Sequence, residues 1–344
     1  VQIYVSLNGD VVADTGVGES QPGVSMTSET INLWLSAGKP LTAFAIARLK
    51  AQGRLDYDDP LGTHLPEWNS AGQPAVTLRQ LLTHQAGFSN CELRWPELGW
   101  NRILQQIVEL PIPKGNASSR RAGYVVAATW FLLGEVVVRC TNFPFEKAIK
   151  TLILEPLRLT STFNGISPEG FERVSDRLGR MYEMPRNTKP IDLQWHLPNR
   201  VCAASPGGNT HGPIRELGRF YEMLLAAGCI DGRQILSAEE VHHLTARHRI
   251  GLFDDTFQHR IDWGLGFIVN SNRYGPNTVP YGFGRFASEA TFGHGGSESS
   301  MSFADPERQL VVAWVANGRP GEPRHQRRNR AINEAIYQDL KLTE

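Results

Sequence analysis

Apolar and polar positions alternate at the start of the chain. Ile3, Val5 and Leu7 share one face, Asn8-Gly9 supplies a turn, and Val11, Val12 and Ala13 lead back. This pattern predicts a β-hairpin over residues 1–18. The far end mirrors it. Residues 300–304 read as a strand, Asp305-Pro306-Glu307 as a turn, and residues 310–315 as a buried strand. A terminal helix follows, with Ala331, Ile332, Ala335, Ile336 and Leu340 on one face. Between the two ends the apolar period is mostly helical, over 41–52, 77–84, 100–110, 125–139, 144–152 and 213–228. Gly, Pro and Asn break the chain between these runs.

Strands at both ends with helices between them predict an α+β fold, an α/β sandwich. Its antiparallel sheet is built from N- and C-terminal strands, flanked by helices, with a mostly helical region inserted. The expected organisation is one domain over 1–344. Residues 1–60 and 205–344 form an α/β lobe, and 61–204 form a mostly helical lobe.

Composition narrows the function classes. Lys plus Arg equals Asp plus Glu, at 35 each. That balance gives no electrostatic case for nucleic acid or an anionic membrane. The local basic run at 324–330 reads as the solvated start of the terminal helix. Cys91, Cys140, Cys202 and Cys229 are far apart and form no C-x-x-C, so no zinc site is expected and one disulfide stays open. Cys140 and Cys229 end apolar helical runs and read as small core residues. His242, His243 and His248 are scattered along a polar stretch and form no metal cage. No stretch is long and apolar enough to span a bilayer as a helix. No signal peptide is expected in a chain that opens inside a strand at Val1, which leaves both a cytoplasmic and a secreted or periplasmic location open.

The candidate chemistry begins at Ser36-Ala37-Gly38-Lys39. A serine and a lysine three apart on a helix lie on one face, so the amine can reach the hydroxyl. The spacing alone is weak, since a chain of this length holds roughly one such pair by chance. Pro40 is tolerated only near a helix start, which places Ser36 at or beside an N-terminus. Unpaired N–H groups and the helix dipole favour developing negative charge there and help keep Lys39 neutral. The helix behind is apolar on nearly all sides and is expected to be buried.

Further stretches fall in a recognisable order. They include Gln52-Gly53-Arg54-Leu55-Asp56, Leu81-Leu82-Thr83-His84-Gln85-Ala86-Gly87, and Gly123-Tyr124-Val125-Val126 leading to Gly134-Glu135. Then come Glu155-Pro156-Leu157, Pro206-Gly207-Gly208, Asp262-Trp263-Gly264-Leu265-Gly266 and Phe292-Gly293-His294-Gly295-Gly296-Ser297. Together with the S-x-x-K they resemble the serine β-lactamase and penicillin-binding-protein-like hydrolases, nearest to the class C-like esterase and D-peptidase group. The resemblance covers nearly the whole chain.

The resemblance implies Ser36 as a nucleophile that forms an acyl-enzyme. A serine hydroxyl needs a base to take its proton. Lys39 is the first candidate. To act near neutral pH it must shed a proton it ordinarily holds up to about 10.4, roughly 4 kcal/mol of desolvation and like-charge repulsion. Tyr124 is the second candidate, and its pKa is expected to come down through Lys39. His294 stands where many relatives have lysine, and is expected to face the cleft and bond the tyrosine or the substrate. Gly295 and Gly296 let substrate approach the strand edge. The backbone N–H groups of Ser36 and Ser297 form the oxyanion hole.

Two departures favour esters. Relatives that act on β-lactams or peptides usually carry Tyr-x-Asn, and here the third position is Val126. The lysine that suits an antibiotic's carboxylate is replaced by His294. The stretch Thr129-Trp130-Phe131 lacks the small residue that some esterase relatives carry and is expected to narrow the cleft. The expected activity is a carboxylesterase-type hydrolase for small esters, with no cofactor and a small-molecule ester or amide substrate. The alternatives are a D-amino-acid peptidase or amidase, a weak β-lactamase, a transacylase, and a silent binding protein on the same fold. Oligomeric state is open. Specificity is expected from loops 90–100, 181–200 and 270–287, with Trp95, Trp195, Tyr274, Tyr281 and Phe283 as candidate cleft or packing residues.

Overall fold

The computed structural model describes residues 1–112 and 122–344. The hairpin forms as strands β1 (Gln2–Leu7) and β2 (Asp10–Gly16). Asn8 and Gly9 take φ of 55° and 85°, the left-handed pair that a two-residue hairpin turn requires. The C-terminal part adds β3 (Asp262–Trp263), β4 (Ile268–Val269), β5 (Phe292–Gly296), β6 (Ser300–Asp305) and β7 (Leu310–Val315). These seven make one antiparallel sheet in the order β3-β4-β5-β6-β7-β1-β2. The chain's two ends meet inside it, with Gln2 opposite Val315 and Leu7 opposite Leu310.

Both faces of the sheet are covered, and the period-2 pattern of β7 records it. Val311, Ala313 and Val315 join one core, and Leu310, Val312 and Trp314 join another. The first core takes in α1 (Lys39–Ala51), α4 (Ala128–Thr141) and α6 (Ile214–Leu225). In α1 every residue from Lys39 to Ala47 is buried, as the apolar run predicts. The second core is closed by Ile336 and Tyr337 of the terminal helix α7 (Glu322–Asp339). Between α1 and α4 lie α2 (Leu78–Leu82) and α3 (Trp100–Val108). Thr77 caps α2 through a reciprocal bond with Gln80. After α4 comes α5 (Phe145–Ile149), which widens into a π turn over Lys150–Leu154.

Two expectations need correction. The four cysteines are free, and Cys140 and Cys229 are half-buried at the rim of the core, not inside it. The basic run of α7 is not simply solvated. His325 and Asn329 are fully buried, while Arg324 and Arg328 are half-buried and donate to the carbonyls of Met184, Gly318 and Glu298. These cations read as solvent-facing because the loops that cover them are remote in sequence.

Candidate active site

Ser36 lies in a 3-10 turn, Leu35–Gly38, immediately before α1. Residues three apart eclipse in such a turn. Lys39, the first residue of α1, thereby brings Nζ to 2.9 Å from Ser36 Oγ. Leu35 is held at φ 52°, a left-handed conformation that costs an L-residue roughly 1–2 kcal/mol. Neighbouring bonds fix it there. Trp34 N donates to Thr210 O, Trp34 Nε1 donates to Gly212 O, and Ser300 Oγ donates to Trp34 O at 2.7 Å.

Lys39 is fully buried. Besides Ser36, its Nζ meets two backbone carbonyls, Val126 O at 2.8 Å and Gly207 O at 2.5 Å. Burial holds its pKa well below the ordinary lysine value. The like-charge repulsion expected beside it is not the cause; desolvation is. Gly207 reaches the amine because a Cβ there would sit 3.0 Å from both Trp130 Cβ and Val126 O. Trp130 packs behind the amine, its ring 5.4 Å from Nζ, and is absent from the cavity wall. It forms the floor of the site and does not narrow the cleft.

Tyr124 sits on an irregular segment whose four successive amides are all claimed from outside. Gly123 N donates to His84 O, Tyr124 N to Asp254 Oδ1, Val125 N to His84 Nδ1 and Val126 N to Asn90 Oδ1. Tyr124 O accepts from Asn90 Nδ2 and Thr256 Oγ1. Asp254 is itself paired with Arg249 at 2.9 Å, both fully buried. Tyr124 lines the same cavity as Ser36, and Nζ of Lys39 lies 5.3 Å from its ring centre. Burial raises the Tyr124 pKa above the usual phenol value, with the charges of Asp254 and Glu322 adding to it. The expected lowering by Lys39 is therefore corrected. A neutral amine cannot pull a phenol down, and burial pushes it up, so the phenol keeps its proton.

His294 lies on β5, where β4 pairs only with Phe292 and Gly293. His294, Gly295 and Gly296 therefore have β6 on one side and an open edge on the other. The imidazole is 1% exposed. Its Nδ1 is 2.8 Å from Gly295 O, which makes Nδ1 the donor and leaves Nε2 without a proton or a partner. Burial pushes its pKa down to about 3, so it is neutral. Its ring packs 5.9 Å from that of Tyr124, with no bond to the phenol. The glycines serve the protein's own packing. A Cβ on Gly295 would lie 2.3 Å from the Tyr281 ring, and one on Gly296 would lie 2.4 Å from Trp34 O.

A serine, a buried amine, a phenol and a strand edge thus come together around one opening. A family model described as Beta-lactamase matches residues 1–337. The chain belongs to the beta-lactamase family. It is 23% identical over 341 residues to Esterase/beta-lactamase LipL of Mycobacterium tuberculosis, covering 92% of this chain and 76% of that protein. It is 27% identical over 283 residues to Esterase EstB of Burkholderia gladioli, covering 74% and 70%. A penicillin-binding protein homolog from Caulobacter crescentus shares the fold with a TM-score of 0.76 and 26% identity, covering 97% of this chain and 92% of that one. The protein is thus a hydrolase of the beta-lactamase family. No helix among the described residues is long and apolar enough to cross a membrane.

In this beta-lactamase-family chain Ser36, Tyr124, Val126, His294, Gly295 and Ser297 all line one cavity of about 500 Å3. Lys39 lies beneath it. Gly296 packs on the Ser36 turn and is not part of the wall. Of the aromatics in the loops, Tyr281 lines the cavity, while Phe283 packs on Phe303 and Tyr274 donates to Asp262. Trp95 and Trp195 flank Arg200 instead. Sequence reasoning missed Thr256 and Phe257, and the far wall from α7: Glu322, Gln326 and Arg330. The last three recur every four residues, a helix-face signal that the basic run concealed.

Proposed function

We propose that the protein is a serine hydrolase acting through an acyl-enzyme on Ser36, with carboxylesterase-type activity on small esters. One observation carries the proposal. Nζ of Lys39 has three neighbours, and two are carbonyls that can only accept. A neutral amine has two N–H donors and one lone pair. With both donors engaged by Val126 O and Gly207 O, the lone pair is left for the Ser36 hydroxyl. That is the orientation of a general base toward its nucleophile.

Ser36 Oγ then bonds to the ester carbonyl carbon as its proton passes to Lys39 Nζ. The backbone N–H groups of Ser36 and Ser297 receive the oxyanion. Collapse breaks the bond to the leaving oxygen, which takes a proton from the Tyr124 phenol, and the phenol recovers one from Lys39. Water repeats the sequence on the acyl-enzyme and releases the acid.

The ester preference rests on two side chains. Val126 is half-exposed in the cavity and offers no amide to a peptide or lactam. His294 is neutral with a bare acceptor nitrogen, so it supplies no cation for an antibiotic's carboxylate. Wild type is expected to hydrolyse short p-nitrophenyl esters and to be labelled by a fluorophosphonate at Ser36, both lost in Ser36→Ala. A wild type inert to the esters and to the probe would sink the reading. Stable acylation by a penicillin, seen by intact mass without ester turnover, would replace it with an amide-directed one.

A further inference from the structure

His84 stands two residues past the end of α2, in contact with the Tyr124 segment on two sides. Its carbonyl accepts the Gly123 amide at 3.1 Å, and its Nδ1 accepts the Val125 amide at 3.1 Å. The residue between those two amides is Tyr124. The imidazole also packs on the phenol ring, centroids 4.8 Å apart, and stands edge-on to Trp263 at 4.7 Å. The side chain is 2% exposed.

The backbone of His84 is itself constrained. Its φ is 57°, unusual for a residue with a Cβ. Its neighbours hold it there: Thr83 O accepts from the buried Arg249, and Leu82 O accepts from Gly266 N. A conformation that costs energy brings one side chain and one carbonyl to the two sides of a single tyrosine.

We propose that His84 is a positioning residue for Tyr124, acting as a neutral Nε2–H imidazole whose Nδ1 and carbonyl clamp the backbone on either side of the tyrosine and so hold the phenol at Ser36. The tautomer follows from the bond. A nitrogen that accepts the Val125 N–H carries no proton, so the imidazole hydrogen is on Nε2. Protonating Nδ1 would set two donors against each other and break the clamp. Burial, with the Arg249 charge behind it, keeps the ring neutral. The hydroxyl acts through geometry, and a shift of about 1 Å at a reacting group can cost about a hundredfold in rate.

The inference rests on the esterase reading for its kinetic half only, and two measurements test it. In wild type, 15N shifts of the imidazole are expected to show Nδ1 unprotonated and Nε2 protonated from about pH 5 to about pH 9, where an ordinary histidine changes charge near 6.5. A protonated Nδ1, or an ordinary titration, overturns the proposal and needs no variant. In the second, His84→Phe keeps the ring contact and loses the acceptor, while His84→Asn places an amide oxygen near the Nδ1 position. His84→Phe is expected to lower kcat on a p-nitrophenyl ester about 10-fold to 100-fold with KM within about threefold. His84→Asn is expected to recover most of it. Wild-type kcat in His84→Phe, or equal loss in both variants, overturns the proposal. If wild type proves inert to esters, the esterase reading fails, while the imidazole tautomer still decides this one.

Discussion

Lys39→Met separates the energetic cost of the buried amine from its chemical use. Nζ is fully buried among two carbonyls and a hydroxyl, and desolvation holds its pKa well below the lysine value. A lysine depressed in this way is neutral when folded and charged when unfolded. The unfolded chain then binds the extra proton, so wild-type stability rises with pH. The slope is about 1.4 kcal/mol per pH unit, and it ends near 10.4 where the unfolded amine also deprotonates. Methionine fits the same length of cavity and carries no such slope. Its drawback is independent of pH: the Val126 and Gly207 carbonyls lose their donor, about 1 kcal/mol each. The difference in unfolding free energy, wild type minus variant, is therefore expected to rise by about 2.7 kcal/mol from about pH 7.5 to about pH 9.5. Near neutral pH the variant is expected to be as stable as wild type or more so. Ester hydrolysis is expected to fall about 10²- to 10⁴-fold at every pH. Urea unfolding at three pH values, with turnover measured in the same buffers, provides both numbers. A difference that stays flat with pH means that folded Lys39 keeps its proton, and the general-base assignment then falls.

Tyr124→Phe keeps the ring contacts with His84, Phe257, Trp263 and His294 but removes the phenol. Turnover is expected to drop about 10²- to 10³-fold with only about 1 kcal/mol lost in stability; a drop of less than about threefold would remove the phenol from the mechanism. Gly296→Ala drives a Cβ to 2.4 Å from Trp34 O, a backbone atom that cannot rotate away. A loss of about 1–3 kcal/mol and slowed fluorophosphonate labelling at Ser36 are expected, and unchanged labelling would mean that the turn tolerates the shift. Acid stability is set by buried histidines: burial pushes His211 down to about 4, and His294 and His325 to about 3. The folded chain refuses protons that the unfolded chain accepts below about 6.5, so each removes about 1.4 kcal/mol per pH unit as pH falls. His325→Phe is expected to move the acid midpoint, followed by tryptophan fluorescence, to lower pH; an unmoved midpoint would contradict the linkage.

What was legible in the chain depended on whether the signal was local. The Asn8-Gly9 turn and the alternation of Leu310 to Val315 follow from residues a few positions apart, and both formed as expected. The S-x-x-K pair was legible because its geometry closes within one turn, although that turn is 3-10 and not α. Strands β3 and β4 are two residues each and exist only because partners pair with them, so no period could mark them. The segment at Tyr124 was assigned to the start of a helix running from 125, yet α4 begins at Ala128. Four outside acceptors bind the amides of 123–126, and a helix would have had to give those bonds up. The far wall on α7 was hidden for a related reason. A run of arginines reads as solvated until the loops that cover it are in place.

Left-handed residues and unpartnered polar groups occur around the site as well as elsewhere in the chain, and those at the site bear on how it works. Leu35 precedes Ser36, His84 packs on Tyr124, Tyr281 lines the cavity and Glu298 follows Ser297. All four are held at positive φ, between 52° and 57°, in residues that carry a Cβ. The same neighbourhood contains a buried lysine with no carboxylate among its bonded partners and four ring nitrogens without partners: His84 Nε2, Trp130 Nε1, Trp263 Nε1 and His294 Nε2. Each such feature costs of order 1–3 kcal/mol, and a fold under selection for stability alone would shed them. They persist because the surroundings over-determine them. The sheet sets β5, α1 sets Lys39, and the buried Arg249–Asp254 pair sets the Tyr124 segment. A site assembled from elements so distant in sequence forms only when the sheet has closed on both chain ends. Rigidity at the centre is then a consequence of the whole fold, and the destabilising groups are tolerated because no one element has to hold them alone.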